Sequence, residues 1–253
     1  AAEQAFAKLL ATHSNNESLL YSHAIIAFEN DNIAAAKKSF EQLQIIERHI
    51  NASHYYLGQI AQQQQQLSEA EHFFRQVGKG TFFMPATQQL VKLQASQGSI
   101  DKARTYLTSL RKTTPDKAAQ FWALEAELLS INNQLSAAYA VLNQAVLALP
   151  EQLMLRIERA FLSERLNNFS ATEKDLQFVL SRDPQNVTAL NALGYTLTNN
   201  SSRFEEALAL ISQAITLRPN DGAIIDSLGW VQYHLGDWQA AIQNLERAYE
   251  ILP

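Results

Sequence analysis

The sequence of 253 residues contains no cysteine. Disulfides, thiolate nucleophiles and thiolate metal ligands are therefore excluded within this chain. The six histidines lack the paired spacing, with a glutamate between them, that marks a zinc-binding helix. No carboxylate pair stands in a pattern typical of acid–base catalysis. The sequence thus predicts no catalytic, cofactor-binding or metal-binding residue, and it predicts that the chain is not an enzyme.

A strong excess of charge of one sign is also missing. The chain carries 20 Lys and Arg residues against 25 Asp and Glu residues, a formal net charge of -5 at pH 7. The basic residues form no cluster, so the electrostatic footprint of a nucleic-acid-binding protein is absent. No apolar run approaches the ~18 residues that a membrane span requires. Protein partners are therefore expected, with no nucleic acid and no membrane span in this stretch of chain.

What the sequence does contain is an internal repeat, which is clearest towards the end of the chain. Gly194 and Gly229 occupy one repeat position, and Ala207 and Ala241 occupy another. The prolines Pro115, Pro150, Pro184, Pro219 and Pro253 recur at steps of 34 or 35 residues. Small residues allow two helices to cross closely, and proline ends the second helix of a pair. This period and this pattern resemble those of the tetratricopeptide repeat family.

The period divides the chain into seven repeats. They cover 17–50, 51–83, 84–117, 118–152, 153–186, 187–221 and 222–253. Residues 1–16 fit the second helix of a repeat whose first helix is not in the chain, so we expect this sequence to be a fragment of a longer protein. No linker rich in Pro, Gly or Ser interrupts the pattern, which predicts a single continuous solenoid over 1–253.

The resemblance to tetratricopeptide repeats implies an all-α fold, in which antiparallel helix pairs stack into a right-handed superhelix, an α-solenoid. In this family the first helix of each pair, helix A, lines the concave face. By that resemblance we expect the following partner-binding residues there: Tyr21, Phe28, Tyr55, Trp122, Phe161, Asn191, Tyr195, Asp226, Trp230 and Tyr233. Aromatic rings among Asn and a few charges are typical of a groove that binds a protein or peptide ligand. The alternative is that several of these rings are buried between neighbouring A helices.

The last two repeats resemble the C-terminal repeats of a proteobacterial family of periplasmic lipoproteins. The stretches that carry the resemblance are ALNALGYTL from Ala189, RFEEA from Arg203 and IDSLGWV from Ile225. Some members act as adaptors of carboxyl-terminal processing proteases, to which they deliver cell-wall hydrolases. The resemblance implies that this chain is a scaffold or adaptor of the bacterial cell envelope that binds such a protease, its hydrolase substrates, or both.

The same resemblance implies a periplasmic location, with an outer-membrane anchor in the full-length protein. The absence of cysteine leaves a cytoplasmic location open. A second interpretation is a structural assembly module of an envelope secretion or polysaccharide-export complex. Its partners would contact the convex face or the open ends of the solenoid. Open ends favour self-association, and the sequence leaves the oligomeric state undetermined.

Overall fold

A computed structural model describes residues 2–252, so Pro253, the last proline of the predicted series, lies outside the described residues. In the described part of the chain 81% of residues are helical and no strand occurs, which confirms the all-α prediction. None of the helices between residues 2 and 252 combines the length and the apolar character needed to cross a bilayer. The chain divides into two compact units, Ala1–Tyr106 and Leu107–Pro253, called unit 1 and unit 2 below.

Unit 1 is built of helices that pack in sequential pairs. The helices are α1 (Ala2–Thr12), α2 (Glu17–Glu29), α3 (Ile33–Ile45), α4 (Ile50–Gln63), α5 (Leu67–Gln76), α6 (Phe83–Ser96) and the first half of α7 (Ile100–Thr113). The α2–α3 and α4–α5 contacts are the most extensive. Phe40 of α3 lies at the centre of this packing, fully buried, with its ring stacked on Tyr56 at 4.9 Å between centroids.

Unit 2 continues with a short 3-10 helix, Pro115–Lys117, and eight α-helices. These are α8 (Ala118–Ile131), α9 (Leu135–Ala148), α10 (Leu153–Arg165), α11 (Phe169–Arg182), α12 (Val187–Asn200), α13 (Phe204–Leu217), α14 (Gly222–Leu235) and α15 (Trp238–Ile251). Each predicted repeat of this unit holds two of these helices. In addition, α8 contacts α10, α10 contacts α12 and α12 contacts α14. These four A helices therefore form one layer. One continuous superhelix over the whole chain stays a prediction.

The helix boundaries follow from short polar residues and from left-handed backbone. At the starts, the side chains of Asn16, Asn32, Asn168, Asn186, Asp221 and Asp237 accept hydrogen bonds from backbone N–H groups of the first turn. Such a cap is worth about 1 kcal/mol. At the ends of six A helices, the residues with positive φ are Asp31, Gln65, Gly98, Asn133, Asn167 and Gly236. A residue in this conformation turns the chain out of the helix.

Three glycines mark close helix crossings inside single repeats. A Cβ atom on Gly194 would lie 2.5 Å from Cγ1 of Ile211, and one on Gly229 would lie 2.8 Å from Cγ of Leu245. On Gly58 it would lie 2.6 Å from the ring of Phe74. No side chain fits at these distances, so the predicted close approach of paired helices is confirmed. In each case the obstructing side chain belongs to helix B of the same repeat.

Candidate partner-binding site

Two of the predicted concave residues of unit 1, Tyr21 and Phe28, are half-buried against other rings. Tyr21 stacks on His49 with 4.2 Å between ring centroids and 10° between ring planes. Phe28 meets Tyr56 edge to face at 5.2 Å. Both arrangements are favourable for ring pairs and occupy surface that a ligand would otherwise contact. Packing between helices therefore accounts for the placement of both side chains.

Tyr55, the third predicted residue in unit 1, is enclosed in the same way. Its ring lies 5.2 Å from that of Phe82 and 5.3 Å from that of Tyr56. Its hydroxyl accepts a hydrogen bond from Nε2 of Gln59 at 3.0 Å. Burial raises the pKa of the Tyr55 hydroxyl, because the phenolate form would be poorly solvated there. Its surroundings are thus those of a packed ring.

Trp122 in unit 2 is covered by an arginine of its own chain. The guanidinium of Arg111 lies 3.7 Å from the centroid of the Trp122 ring, a cation–π contact. Arg111 also donates a hydrogen bond to Glu125 at 2.6 Å, and the side chains of this ion pair are nearly inaccessible to solvent. The face of Trp122 that a partner could have used is therefore already occupied.

The aromatic residues further along the A helices of unit 2 remain accessible. Phe161 on α10 is 38% exposed, Tyr195 on α12 is 41% exposed and Tyr233 on α14 is 45% exposed. Trp230 on α14 is half-buried and stacks on Tyr233, with 5.5 Å between centroids and 3° between ring planes. Phe161, Tyr195, Trp230 and Tyr233 are called the aromatic face of unit 2 below.

Trp230 is held in place by polar and aromatic neighbours. Its Nε1–H donates to Oδ1 of Asn199 at 2.8 Å, which ties α14 to α12. His234 meets the Trp230 ring edge-on at 4.7 Å and itself stacks on Phe204 at 5.1 Å. An oriented indole with its N–H satisfied loses little conformational freedom when a ligand binds, which favours it as an anchor.

The two remaining predicted residues, Asn191 and Asp226, differ from each other in accessibility. Asn191 is half-buried, and its Oδ1 is buried without a hydrogen-bond partner among the described residues. Asp226 is exposed and forms no ion pair within residues 2–252. The structure therefore brings Asp226 to the accessible surface of α14 and leaves Asn191 largely enclosed. Partner binding by the ten predicted residues stays a prediction.

A cavity of about 300 Å³ lies between α8 and α10 at one end of the aromatic face of unit 2. Its lining is mixed and includes Phe161, Glu127, Glu158 and Arg165. Partial burial raises the pKa of the Glu158 carboxyl, and the negative charge of Glu127 raises it further. The sequence does not distinguish Glu127 or Glu158 as site residues, because most carboxylates on a helix are simply solvated. The spacing of Glu158 and Phe161, one turn apart on one helix face, was the available signal.

A second carboxyl on α10, that of Glu164, points towards α12. Its Oε1 accepts a hydrogen bond from the hydroxyl of Thr196 at 3.2 Å. Burial raises the pKa of the Glu164 carboxyl, and the hydrogen bond from Thr196 offsets only part of that effect. No ion pair to Glu164 occurs in the part of the chain that the structure describes. Its charge therefore adds to that of Glu127 and Glu158.

A buried carboxylate on the neighbouring helix α11 fixes the orientation of α10. Asp175 of α11 has a side chain that is only 2% exposed and accepts hydrogen bonds from Arg159 at 2.6 and 2.7 Å. Arg156 approaches the same carboxylate at 3.4 Å, and Arg159 also donates to Asn143 of α9 at 2.9 Å. Planar, two-point contacts of this kind restrict rotation of a helix about its axis. They therefore determine the direction in which Phe161 projects.

Comparison with known proteins identifies the type of repeat in this chain. Residues 164–222 and 200–253 match the family model described as tetratricopeptide repeat. With the structural neighbours given below, this match supports tetratricopeptide repeats in the chain. Repeats of this class bind peptide or protein ligands and typically serve as non-enzymatic interaction scaffolds.

Among individual proteins, the chain is similar to a TPR repeat-containing protein of Pseudomonas aeruginosa. The two are 38% identical over 204 residues, which is 81% of this chain. The chain spans about a third of the length of that relative, 35%.

Solved structures share the fold at low sequence identity. A tetratricopeptide repeat protein from Parabacteroides merdae has a TM-score of 0.57 at 13% identity, over 94% of this chain and 93% of that one. MamA from Desulfovibrio magneticus has a TM-score of 0.53 at 15% identity, over 65% and 92% of the two chains. YrrB, a TPR protein with an unusual peptide-binding site, has a TM-score of 0.50 at 16% identity, over 66% and 86%. At such identities the likeness shows the fold alone.

Proposed function

We propose that this chain is a protein-binding module and that the aromatic face of unit 2 receives an extended segment of the partner. One observation carries the proposal. Phe161, Tyr195 and Trp230 stand at the same position of three successive repeats, and the rings of Phe161, Tyr195 and Tyr233 are exposed. An extended segment laid across successive A helices would meet one ring per repeat.

Exposed rings of this size are effective anchors for a partner. Each buries a large apolar area when covered, at about 25 cal/mol per Å². Aromatic residues are enriched among the few contacts that carry most of the energy of a protein interface. The peptide-binding site of YrrB, which shares the fold, supports a peptide as ligand. Truncation of one such ring is expected to weaken binding by about 1–2 kcal/mol.

The resemblance of the last two repeats supports a more specific role. In that role the chain is an adaptor of the bacterial cell envelope, periplasmic and anchored to the outer membrane in the full-length protein. Its partners are a carboxyl-terminal processing protease, the cell-wall hydrolases that the protease degrades, or both. Such an adaptor acts by raising the local concentration of substrate at the protease, which requires no catalytic group of its own.

Co-purification from envelope extracts tests both the binding at the aromatic face of unit 2 and the role as an envelope adaptor. The full-length protein is compared with its double variant Tyr195→Ala/Tyr233→Ala, and the recovered proteins are identified by mass spectrometry. Leu147→Ala is the control, since Leu147 is 82% exposed on α9, a B helix that belongs to neither proposed binding surface. We expect a processing protease and cell-wall hydrolases with the wild type and the control, and their loss from the double variant.

Other outcomes would contradict one of these two proposals and leave the other standing. Undiminished recovery by the double variant would contradict binding at the aromatic face of unit 2. Recovery of cytoplasmic chaperones alone would contradict the envelope role, while a dependence on Tyr195 and Tyr233 would still support binding by the aromatic face.

An apolar stripe on α15 favours a second candidate, a structural assembly module. Trp238, Ile242 and Tyr249 are all exposed and lie on one face of this helix. On α13 the residues Phe204 and Leu208, one repeat earlier, are packed against the core of unit 2. The stripe on α15 is therefore the kind of surface that a neighbouring subunit would cover.

Solution mass distinguishes this candidate from the first. Assembly through α15 predicts that Ile242→Glu lowers the mass observed in sedimentation equilibrium, while Tyr195→Ala/Tyr233→Ala leaves it unchanged. A monomeric wild type over the accessible concentration range would contradict assembly through this stripe.

A further inference from the structure

Unit 2 contains a recurring combination of an aromatic ring and a carboxylate one turn apart on the same helix. Trp122 and Glu125 form the first such pair, and Asp175 and Phe178 form the second. In both, an arginine of the chain is bound. The guanidinium of Arg111 lies 3.7 Å from the Trp122 centroid and donates to Glu125.

The second pair holds its arginine at nearly the same distance from the ring and makes a longer contact with it through the carboxylate. The guanidinium of Arg156 lies 3.6 Å from the centroid of the Phe178 ring, and its Nη1 donates to Asp175 at 3.4 Å. A guanidinium suits such a place because it is planar, stacks on a ring and donates in its own plane to a carboxylate. The combination is thus an arginine site that this chain uses twice for its own folding.

The third pair is Glu158 and Phe161 on α10, with the same separation of three residues. Both line the cavity of about 300 Å³, and Glu127 of α8 lines it as well. Within residues 2–252 no guanidinium lies over Phe161, and neither carboxylate forms an ion pair. Arg165, which also lines the cavity, has no ion pair in the same described range. The third pair is therefore accessible, and its carboxylate charge is not balanced by an arginine of the described chain.

The remaining charges on the A helices of unit 2 strengthen the argument. Arg156 and Arg159 pair with Asp175, and Arg111 pairs with Glu125. The carboxylates that lack such a partner in the described chain are Glu127, Glu158, Glu164 and Asp226. Arg165 is the one arginine of these helices that opposes them, among the residues described. Because Arg156 and Arg159 share the single carboxylate of Asp175, these charges together give the surface a net charge of -2, which attracts a basic segment.

We propose that Glu158, Phe161 and Glu127 bind an arginine side chain of the partner segment. The guanidinium stacks on Phe161 and donates hydrogen bonds to the two carboxylates, while the segment continues along α12 and α14 past Tyr195 and Trp230. This inference rests on the proposed function and adds to it the chemistry of one residue in the partner.

Selection from a random peptide library displayed on phage tests the inference, since it does not require that the natural partner be identified. The bait is the whole 253-residue chain. We expect enrichment of arginine among the selected peptides. Replacement of that arginine by citrulline, which is neutral and of the same shape, should weaken binding about tenfold in fluorescence anisotropy, and replacement by lysine should weaken it less.

Paired protein variants assign the effect to this site. Glu127→Gln/Glu158→Gln should also weaken binding about tenfold, whereas its effect on the citrulline peptide should be small. Glu205→Gln/Glu250→Gln is the matched control, because it removes two exposed carboxylates from α13 and α15 and changes the net charge equally. Circular dichroism verifies that all four substitutions leave the helical content unchanged.

Failure of the arginine site and failure of the proposed function give different results in these experiments. Peptides that lack arginine, need Tyr195 and Tyr233 and bind the Glu127→Gln/Glu158→Gln variant normally would overturn the arginine site and leave the proposed function standing. Peptides that bind the Tyr195→Ala/Tyr233→Ala variant as tightly as the wild type would overturn both. A library that yields no binder of the wild type would also overturn both.

Discussion

Units 1 and 2 both carry aromatic residues on their A helices, and they differ in how those rings are packed. In unit 1, Tyr55 and Phe28 pack against Tyr56. In unit 2 the position of Tyr56 in the repeat is taken by Ala123, Glu158, Ala192 and Ser227. The rings of Phe161 and Tyr195 therefore find no aromatic neighbour of this kind and stay exposed. The neighbours of a ring decide whether it stabilises the repeat or is available to a partner.

Substitution of one phenylalanine in each unit gives the largest expected contrast. Phe40→Ala should lower the free energy of unfolding by about 3–5 kcal/mol, because Phe40 is fully buried in unit 1. Phe161→Ala should lower it by less than about 1 kcal/mol, because a large part of its ring is already in water. Urea unfolding followed by far-ultraviolet circular dichroism measures both. Similar losses for the two variants would contradict the distinction between packed and exposed rings.

The buried carboxylate of Asp175 gives the next effect and tests how the exposed ring of Phe161 is positioned. Asp175→Ala leaves Arg156 and Arg159 without their carboxylate and should cost about 3 kcal/mol of unfolding free energy. We also expect weaker partner binding, since α10 loses the ion pairs that tie it to α11. Asp116→Ala, which removes an exposed carboxylate from the 3-10 helix Pro115–Lys117, is the control. Unchanged binding by Asp175→Ala at a temperature where it is folded would show that Phe161 is positioned otherwise.

The smallest expected effect is a pH dependence in unit 1. Burial lowers the pKa of His54 from its ordinary value of 6.5, because the protonated imidazole is poorly solvated between α4 and α5. The unfolded chain therefore takes up a proton more readily, so this contribution to stability is present above pH 6.5 and is lost as the pH falls from 6.5 through the lowered pKa of the native state. Urea unfolding at pH 7.5 and pH 5.5 measures it. His54→Asn should flatten this dependence.

His13→Asn removes an exposed imidazole and serves as the control for that experiment. An equally steep dependence in the His54→Asn variant would assign it to other groups. Glu158 and Glu164 in unit 2 act in the opposite direction, since burial raises the pKa of both carboxyls. At these two carboxyls the native state then binds protons more readily than the unfolded chain. A fall in pH through their raised pKa values therefore increases the free energy of unfolding.

The fold could be predicted from the sequence because the repeat is encoded locally. The glycines at the helix crossings and the Asn and Gly residues after helix A each act within one repeat, so a pattern in the sequence is enough to identify them. The exposure of rings could not be predicted in the same way. It depends on contacts between successive repeats, such as that between Tyr21 and His49. Sequence position alone therefore predicts partner binding for both Tyr21 and Tyr195, although the ring of Tyr21 is packed and that of Tyr195 is exposed.

The cavity between α8 and α10 was missed for a related reason. Glu158 and Glu127 are 31 residues apart in the sequence and belong to different repeats. Each is ordinary as a single carboxylate on a helix. Their significance comes from direct contact between α8 and α10, a relation that no motif within one repeat expresses.

The glycine crossings have a consequence for how such a chain changes over generations. The side chains that exclude a Cβ at Gly58, Gly194 and Gly229 all come from the same repeat as the glycine itself. Duplication or loss of a complete helix pair in the gene therefore preserves every one of these tight contacts. Loss of a single helix would separate a glycine from the side chain that fills its place. The heritable unit of this architecture is the pair, and the number of repeats can vary while each crossing is kept.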